Sequence, residues 1–304
     1  MTAAGSVPSN RAIDGIERFD PLGRILTYDS FDSGLSGWTS LSGNHDGRLE
    51  SIRPLYRDLR PPQLSSVDFF DIGTHGPMSG NYAMKLATRP QVDSSSVGIR
   101  RLTMRELGRA QVEMYFAYKA EVRQADSDEG WDGNHDPGEY DFGSFTISND
   151  ICRPGGDRCH MALKFENTSR EGDLVERWRY KTGLQATTKR LLADPAAADA
   201  TDMHTVDPDS WKDIPGGVQP LCYNEVATKV NWHYLRWQFD TAEGRSVELQ
   251  VNDRTYDLSD IPVPMFPEKY GALDGLMNIL IDVQTTRPVR NFMFVDTVVV
   301  SVDW

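Results

Sequence analysis

Apolar and polar residues alternate in many short runs of this chain, which is the period of a half-buried β-strand. In residues 231–240 (NWHYLRWQFD), large apolar side chains occupy every second position from Leu235 to Phe239. Residues 246–253 (SVELQVND) alternate in the same way, and the five residues between the two runs include Gly244. The two runs are therefore predicted to pair as a β-hairpin.

The same alternation recurs along the rest of the chain, whereas helical periodicity is scarce. It predicts further strands at residues 24–29, 82–87, 97–104, 111–121, 142–148, 160–166, 175–181, 277–284 and 292–302. Many short strands joined by turns are typical of an all-β sandwich and not of a parallel α/β sheet. No internal repeat is visible, which disfavours a solenoid or a propeller.

Several motifs resemble those of the concanavalin A-like lectin and glucanase superfamily, which includes the laminin-G-like jelly rolls. They are the opening F-D-S-G…G-W of residues 31–38, the strand G-N-Y-A-M-K-L of 80–86, the pair W-H-Y-L-R (232–236) and V-E-L-Q-V-N (247–252), and the closing F-V-D-T-V of 294–298. Over residues 24–304 the chain is similar to an uncharacterised bacterial family within this superfamily. The resemblance implies a concanavalin-like jelly-roll β-sandwich of two antiparallel sheets, a fold much used to hold sugars.

The order of the motifs predicts one jelly-roll domain at residues 24–304, after an N-terminal extension at 1–23. Two segments that lack strand patterns, 123–140 and 183–230, are predicted to be long loops, with a short helical turn at 192–198. Loops of this length in a compact domain are often functional rims or lids. The alternative is that they are surface loops without a function, and the sequence favours neither interpretation.

The composition excludes some classes of partner. The 304 residues carry a formal net charge of −13. Phosphate binding needs a basic surface, so neither nucleic acid nor an acidic membrane surface is expected as a partner. The first ten residues lack the basic and apolar segments of a secretory signal, and no stretch has the length of a spanning helix, which predicts a cytoplasmic protein. None of these features specifies an oligomeric state.

Three cysteines, Cys152, Cys159 and Cys222, are too few for a disulfide scaffold. Cys152 and Cys159 flank a turn, so a bridge between them is one reading. With His160 and Cys222 they also make a candidate zinc set. Because the spacing matches no standard zinc pattern, reduced structural thiols are the expected state.

Successive side chains of a strand point to opposite faces of its sheet, an alternation called parity here. Parity assigns one set of side chains to the core and leaves an outward set that is rich in long polar groups. Such groups suit sugar hydroxyls, which need paired donors and acceptors, and an aromatic ring (Tyr115, Tyr234 or Trp131) suits the apolar face of a pyranose. The predicted saccharide-binding residues are Tyr115, His160, Lys164, Arg177, Arg179, Tyr234, Arg236 and Asp282. A solvated sheet face with cross-strand ion pairs is the alternative.

The outward carboxylates also raise the question of catalysis. A glycoside hydrolase needs two carboxylates flanking the scissile bond, and Glu113 and Glu166 are the predicted acid and base. The E-x-D-x-x-E strand motif of laminarinase-like relatives is absent, which argues against retaining hydrolysis by that route. A polysaccharide lyase, with Tyr234 or His160 as base and arginines beside the uronate, is the other enzymatic reading. A non-catalytic lectin-like module and a structural or assembly protein are the alternatives to an enzyme.

The resemblance further implies a structural calcium ion where the first and last strands meet, with Asp32 and Asp296 as ligands. The alternative to a calcium site is that Asp32 caps a turn and that Asp296 is an ordinary strand residue. No organic cofactor is expected, since the chain has no phosphate-cradling glycine loop, no G-x-S-x-G elbow and no H-E-x-x-H motif.

Overall fold

The structure is a computed structural model that describes residues 13–40, 59–66, 76–121, 138–155, 158–182, 211–224, 230–263 and 275–304. Within these ranges the chain forms sixteen β-strands and two single-turn 3-10 helices, Ile16–Arg18 and Glu139–Asp141. The first eight strands are β1 Arg24–Asp29, β2 Trp38–Thr39, β3 Leu59–Arg60, β4 Gln63–Ser66, β5 Tyr82–Ala87, β6 Ser95–Thr103, β7 Arg109–Ala120 and β8 Ser144–Cys152. The remaining strands are β9 Arg158–Thr168, β10 Leu174–Lys181, β11 Trp211–Val218, β12 His233–Asp240, β13 Arg245–Val251, β14 Arg254–Asp257, β15 Leu276–Gln284 and β16 Asn291–Val302.

The strands form two sheets of eight. The first sheet has the order β14-β13-β12-β7-β16-β5-β4, and β1 also pairs with β16. The second sheet has the order β11-β10-β9-β8-β15-β6-β2, and β3 also pairs with β6. The pairs are antiparallel except for the two-residue β3–β6 contact. The predicted all-β sandwich of two antiparallel sheets is thus confirmed, and so is the hairpin of β12 and β13.

One hydrophobic core joins the two sheets. From the first sheet, alternate residues of β7, such as Val112 and Phe116, point into this core and are fully buried. From the second sheet, Phe165 packs between Phe145 and Trp178, with ring centroids 5.4 and 5.3 Å apart. The inward set predicted by parity is therefore the observed core. Because the inner faces of both sheets meet there, the two outer faces point away from each other.

The predicted loop 183–230 contains a strand that the sequence pattern missed. β11 pairs with β10 at the edge of the second sheet, and a register shift between Arg177 and Arg179 interrupts the pairing. Pro215, Gly216 and Gly217 lie in the middle of β11, and these residues are rare in strand interiors. Most of 123–140 and the predicted helical turn at 192–198 lie outside the described residues, as does Trp131.

Cys152 and Cys159 lie on neighbouring strands but point to opposite faces. Cys159 pairs with Ile151 in register and shares its place in the core, whereas the next position, Cys152, faces the other way. Both are reduced thiols, as is Cys222. Parity therefore argues against a bridge between Cys152 and Cys159. Within the described ranges, no helix has the length and apolarity that crossing a bilayer requires.

Candidate functional site

The predicted site residues divide between the two outer faces of the sandwich. Four lie on β7 and β12 of the first sheet: Glu113, Tyr115, Tyr234 and Arg236. Six lie on β9, β10 and β15 of the second sheet: His160, Lys164, Glu166, Arg177, Arg179 and Asp282. The core separates the two groups, so Glu113 and Glu166 cannot flank one glycosidic bond. The acid and base pair predicted from the sequence is corrected on this ground.

Residues 13–23, called here the N-terminal segment, lie over β7 and β12 on the outer face of the first sheet. Glu113 is fully buried beneath them, and its Oε1 atom accepts hydrogen bonds from the Asp20 amide (2.8 Å) and the Tyr234 hydroxyl (2.6 Å). Burial and this contact with Glu113 raise the pKa of Tyr234. Arg236 bridges Glu248 (2.8 Å) and Asp20 (3.3 Å). The side chains predicted to bind sugar here bind the protein's own chain.

The contacts to the N-terminal segment are made largely to its main chain. The side-chain amide of Gln111 donates to the Asp20 carbonyl (2.8 Å), and the Tyr115 hydroxyl donates to the Arg18 carbonyl (3.3 Å). The ring of Phe19 packs edge-on against Tyr115 with centroids 5.4 Å apart. Tyr115 is thus occupied by an intramolecular partner and does not present the open ring that sugar stacking needs.

The outer face of the second sheet carries a network of ion pairs across three strands. Glu166 of β9 lies opposite Arg177 of β10, and its Oε2 atom is 3.0 Å from Arg177 and 3.2 Å from Arg179. Asp213 of β11 binds the same two guanidinium groups, at 3.1 Å from Arg177 and 3.0 Å from Arg179. The Lys164 ammonium lies 3.7 Å from the other carboxylate oxygen of Glu166, Oε1. Two carboxylates therefore fix the orientation of both arginines.

This network forms one wall of a cleft of about 250 Å³. The residues that line the cleft are Asp93, Ser144, Lys164, Glu166, Ser169, Arg170, Glu171, Arg177, Arg179, Gln284, Thr285 and Thr286. Four of the predicted site residues, Lys164, Glu166, Arg177 and Arg179, thus meet in one cavity. His160 and Asp282 lie on the same sheet face beside it.

Buried ionisable groups lie next to the cleft. Burial lowers the pKa of Lys164 and of Lys181 to about 8, and nearby Asp282 partly opposes the shift in both. Burial raises the pKa of Asp282 to about 7, against the attraction of the two lysines. The Lys164 ammonium also lies 5.0 Å from the centroid of the Trp211 ring, and the Lys181 ammonium is 3.3 Å from His160 Nδ1. Lys164, Lys181 and Asp282 therefore have pKa values close to neutral pH.

Sequence analysis missed some members of this site. Asp213 was missed because the sequence of its strand, β11, has no strand pattern: the buried residues Trp211, Ile214 and Gly217 recur every three positions and not every two. Ser144 and Gln284 carry the outward parity of β8 and β15, but nothing in the sequence places them beside Glu166. Their position depends on the order of strands in the sheet.

Asp32 and Asp296, the predicted calcium ligands, both hold the turn that precedes β5. Asp32 Oδ1 accepts from the amides of Asn81 (2.5 Å) and Tyr82 (3.2 Å), and Asp296 Oδ2 accepts from the Ser79 amide (2.8 Å). The described residues contain no group of three or more His, Cys, Asp or Glu side chains that could hold a metal ion. Since N–H groups point at these oxygens, the pair does not fit the oxygen shell of Ca²⁺, and turn capping describes its contacts.

Fold and site together define a β-sandwich protein with a polar, ion-paired cleft on the outer face of one sheet. The chain belongs to the family described as domain of unknown function DUF6772, whose model matches residues 8–304. No curated protein matches the sequence at a significant level.

Several solved structures are similar to the chain. The winged bean acidic lectin, in complex with methyl-α-D-galactose, has a TM-score of 0.39 and 8% identity, covering 79% of this chain and 92% of the lectin. A legume lectin-like domain from Entamoeba histolytica has a TM-score of 0.38 and 10% identity, covering 86% of this chain and 97% of that domain. A sialidase has a TM-score of 0.34 and 11% identity, covering 85% of this chain and 18% of the sialidase. The two lectins are of the type that the sequence motifs resemble, but these values are too low to carry an argument about function.

Proposed function

We propose that the protein is a lectin-like saccharide-binding protein and that the ligand lies in the cleft on the second sheet. The observation that carries the proposal is the convergence of Glu166, Arg177, Arg179 and Lys164 on one cavity, with Glu166 bonded to both guanidinium groups. Carboxylate oxygens accept hydrogen bonds from sugar hydroxyls, and guanidinium and ammonium groups donate to them.

Ion pairs within the protein already order the charged side chains of the cleft. Arg177 is 30% exposed and Glu166 14%, so both reach solvent while their ion pairs fix their rotamers. A group that is already ordered loses little conformational entropy on binding, and more of its interaction energy appears as affinity. Ser144, Ser169 and Gln284 add neutral donors and acceptors around the charged wall.

Among the described lining residues none is aromatic. Trp211 lies nearby but is 5% exposed and faces the Lys164 ammonium. Recognition in this cleft therefore depends on hydrogen bonds and not on stacking against a ring. The hydrolase and lyase readings stay predictions: Glu166 needs a partner other than Glu113, and the lyase base needs to be a group other than Tyr234, which lies on the opposite face.

The test compares one substitution at two positions. Glu166→Gln removes one of the two carboxylates that order both arginines, and Glu113→Gln makes the same change on the opposite face. Binding is measured by calorimetry with saccharides selected on a glycan array. We expect Glu166→Gln to weaken binding about tenfold or more, the effect of one charged hydrogen bond, and Glu113→Gln to leave the affinity within about twofold.

Loss of binding in Glu113→Gln with full binding in Glu166→Gln would overturn the proposal. Release of reducing ends or of unsaturated products by the unmodified protein would instead identify an enzyme. Absence of affinity for every saccharide on the array would favour the structural or assembly protein.

A further inference from the structure

We infer that the saccharide bound in the cleft is uncharged and lies across the strands, along the row formed by Gln284, Ser144, Glu166 and Arg177. This inference rests on the proposed function and narrows its ligand to one chemical class. It excludes uronates and other saccharides that carry a carboxylate, although the cleft contains several cations.

The first argument is the balance of charge in the cleft. Four cations lie there, Lys164, Arg170, Arg177 and Arg179, and four anions lie in or against it, Asp93, Glu166, Glu171 and Asp213. Each cation already has a carboxylate partner: Arg170 is 2.9 Å from Asp93, and the other three approach Glu166 within 3.0 to 3.7 Å. A ligand carboxylate would therefore have to displace a protein carboxylate that is already in place.

Two further cations of this face also lie near carboxylates. Arg158 binds Asp150 through two nitrogens, at 2.7 and 2.5 Å, and Lys181 is attracted by Asp282 and Asp150. The protein as a whole carries a net charge of −13, which repels an acidic glycan at long range. Neither the local nor the overall field favours an anionic ligand.

The second argument is the geometry of the row. Gln284 pairs with Ser144, Ser144 pairs with Glu166, and Glu166 pairs with Arg177, so the four residues lie side by side on β15, β8, β9 and β10. All four line the cleft. Neighbouring strands are about 4.8 Å apart, so the row spans about 14 Å. An amide, a hydroxyl, a carboxylate and a guanidinium in sequence offer donors and acceptors over more than one sugar ring.

The cavity volume limits how much of the ligand the cleft can enclose. Its volume of about 250 Å³ is below the range of about 300–1,000 Å³ that is typical of sites for drug-sized ligands. A short stretch of glycan, or one part of a longer chain that continues beyond the cleft, fits this size. Paired charges bind neutral hydroxyls well, because each group supplies directed hydrogen bonds without an excess charge to be compensated.

The experiment measures calorimetric affinity for matched pairs of β-1,4-linked tetrasaccharides. The neutral set contains tetramers of mannose, glucose and galactose, and the acidic set contains the tetramers of the corresponding uronates. We expect a neutral member to bind about tenfold or more tightly than its uronate. Its affinity should change less than about twofold between about 50 and about 500 mM NaCl, because an uncharged ligand makes no charge–charge interaction with the protein that salt could screen.

The row is tested with Gln284→Ala, at the end opposite Arg177. We expect this change to weaken binding of the neutral tetramer about threefold to tenfold and to leave binding of the monosaccharide nearly unchanged, since one hydrogen bond at the end of the row is lost. Gln63→Ala, an exposed glutamine on β4 of the first sheet, is the matched control and should have no effect.

The outcomes separate the two proposals. Preference for the uronates, with affinity that falls as salt rises, would overturn the neutral ligand while the saccharide-binding function stood. Equal loss of tetramer and monosaccharide binding in Gln284→Ala would overturn the row. Failure of both tetramer sets to bind would overturn the neutral ligand and the row, and saccharide binding that is insensitive to Glu166→Gln would overturn the proposed function together with its ligand.

Discussion

Asp282 illustrates how burial changes a charged residue on a sheet face. Parity predicts it to be outward, and it lies on the outer face of β15, opposite Thr146 of β8. Neighbouring strands and side chains nevertheless remove most of its water, and the desolvation raises its pKa to about 7. Lys164 and Lys181 have pKa values lowered to about 8 for the same reason. The pattern of a sequence gives the direction of a side chain but not its hydration.

The raised pKa of Asp282 predicts a pH-dependent stability. A carboxyl whose folded pKa exceeds its unfolded value contributes stability at low pH, and that contribution is lost as the pH rises from about 4 to about 7. Asp282→Asn should therefore match the unmodified protein near pH 4. It should exceed it near pH 7.5 by about 1–3 kcal/mol, a range that allows for partial exposure of the carboxyl.

The measurement is urea unfolding of both proteins at a series of pH values. The depressed pKa values of the two lysines add stability only as the pH rises from about 8 towards about 10.5, so they do not contribute to the change between pH 4 and 7. Asp253→Asn, in the exposed turn between β13 and β14, is the control and should follow the unmodified protein. A constant difference between Asp282→Asn and the unmodified protein at all pH values would contradict the assignment.

At the scale of elements, the start of β8 shows how one residue type holds a wall of the cleft together. A Cβ added at Gly143 would lie 2.5 Å from the Gln284 carbonyl oxygen and 2.8 Å from the Thr286 amide. The Gly143 carbonyl also accepts hydrogen bonds from the amides of Asn167 (2.9 Å) and Thr168 (3.2 Å). Glycine is needed here because the backbones of β8 and β15 approach too closely for a side chain.

Gly143→Ala should destabilise the protein by about 1–3 kcal/mol, the usual cost of forcing extra atoms into a packed site. It should also weaken saccharide binding, because the backbone that must move carries Gln284 and Thr286 into the cleft. The matched control is Gly23→Ala, where an added Cβ has no atom within 4 Å and no change is expected in either property. Chemical denaturation and calorimetry on the two variants check this, and equal stabilities would refute it.

Most of the longer strands are predicted from the sequence, whereas β11 is not. β7, β9 and β12 alternate over eight to twelve residues, so their position and inward faces are predicted correctly. β11 was missed since Pro215 and two glycines interrupt its pattern, and its partner β10 has a bulge at the same place. Pairing with a neighbouring strand stabilises β11, and such pairing is a tertiary property that the local pattern does not contain.

At the scale of the whole molecule, the two sheets share one core, and this predicts one cooperative unfolding transition. Trp237 of the first sheet and Trp178 of the second are both fully buried in that core. Loss of either sheet would expose the inner face of the other, which is unfavourable in water. The variants Trp237→Phe and Trp178→Phe should each show the same midpoint of urea unfolding by tryptophan fluorescence and by far-UV circular dichroism. Two separate transitions would indicate two independent units instead of one jelly-roll domain.

The sequence by itself determined most of the longer strands, their inward and outward faces and the all-β class, because alternation of apolar and polar side chains is a local property of a strand with one buried side. Only the tertiary structure decided that Glu113 and Glu166 belong to opposite faces, that residues 13–23 lie over part of the first face, and that Asp213, Ser144 and Gln284 join Glu166 in the second. The physical reason is that parity fixes the side of a strand on which a residue lies. The partner strand is chosen by packing and hydrogen bonding summed over residues far apart in the chain.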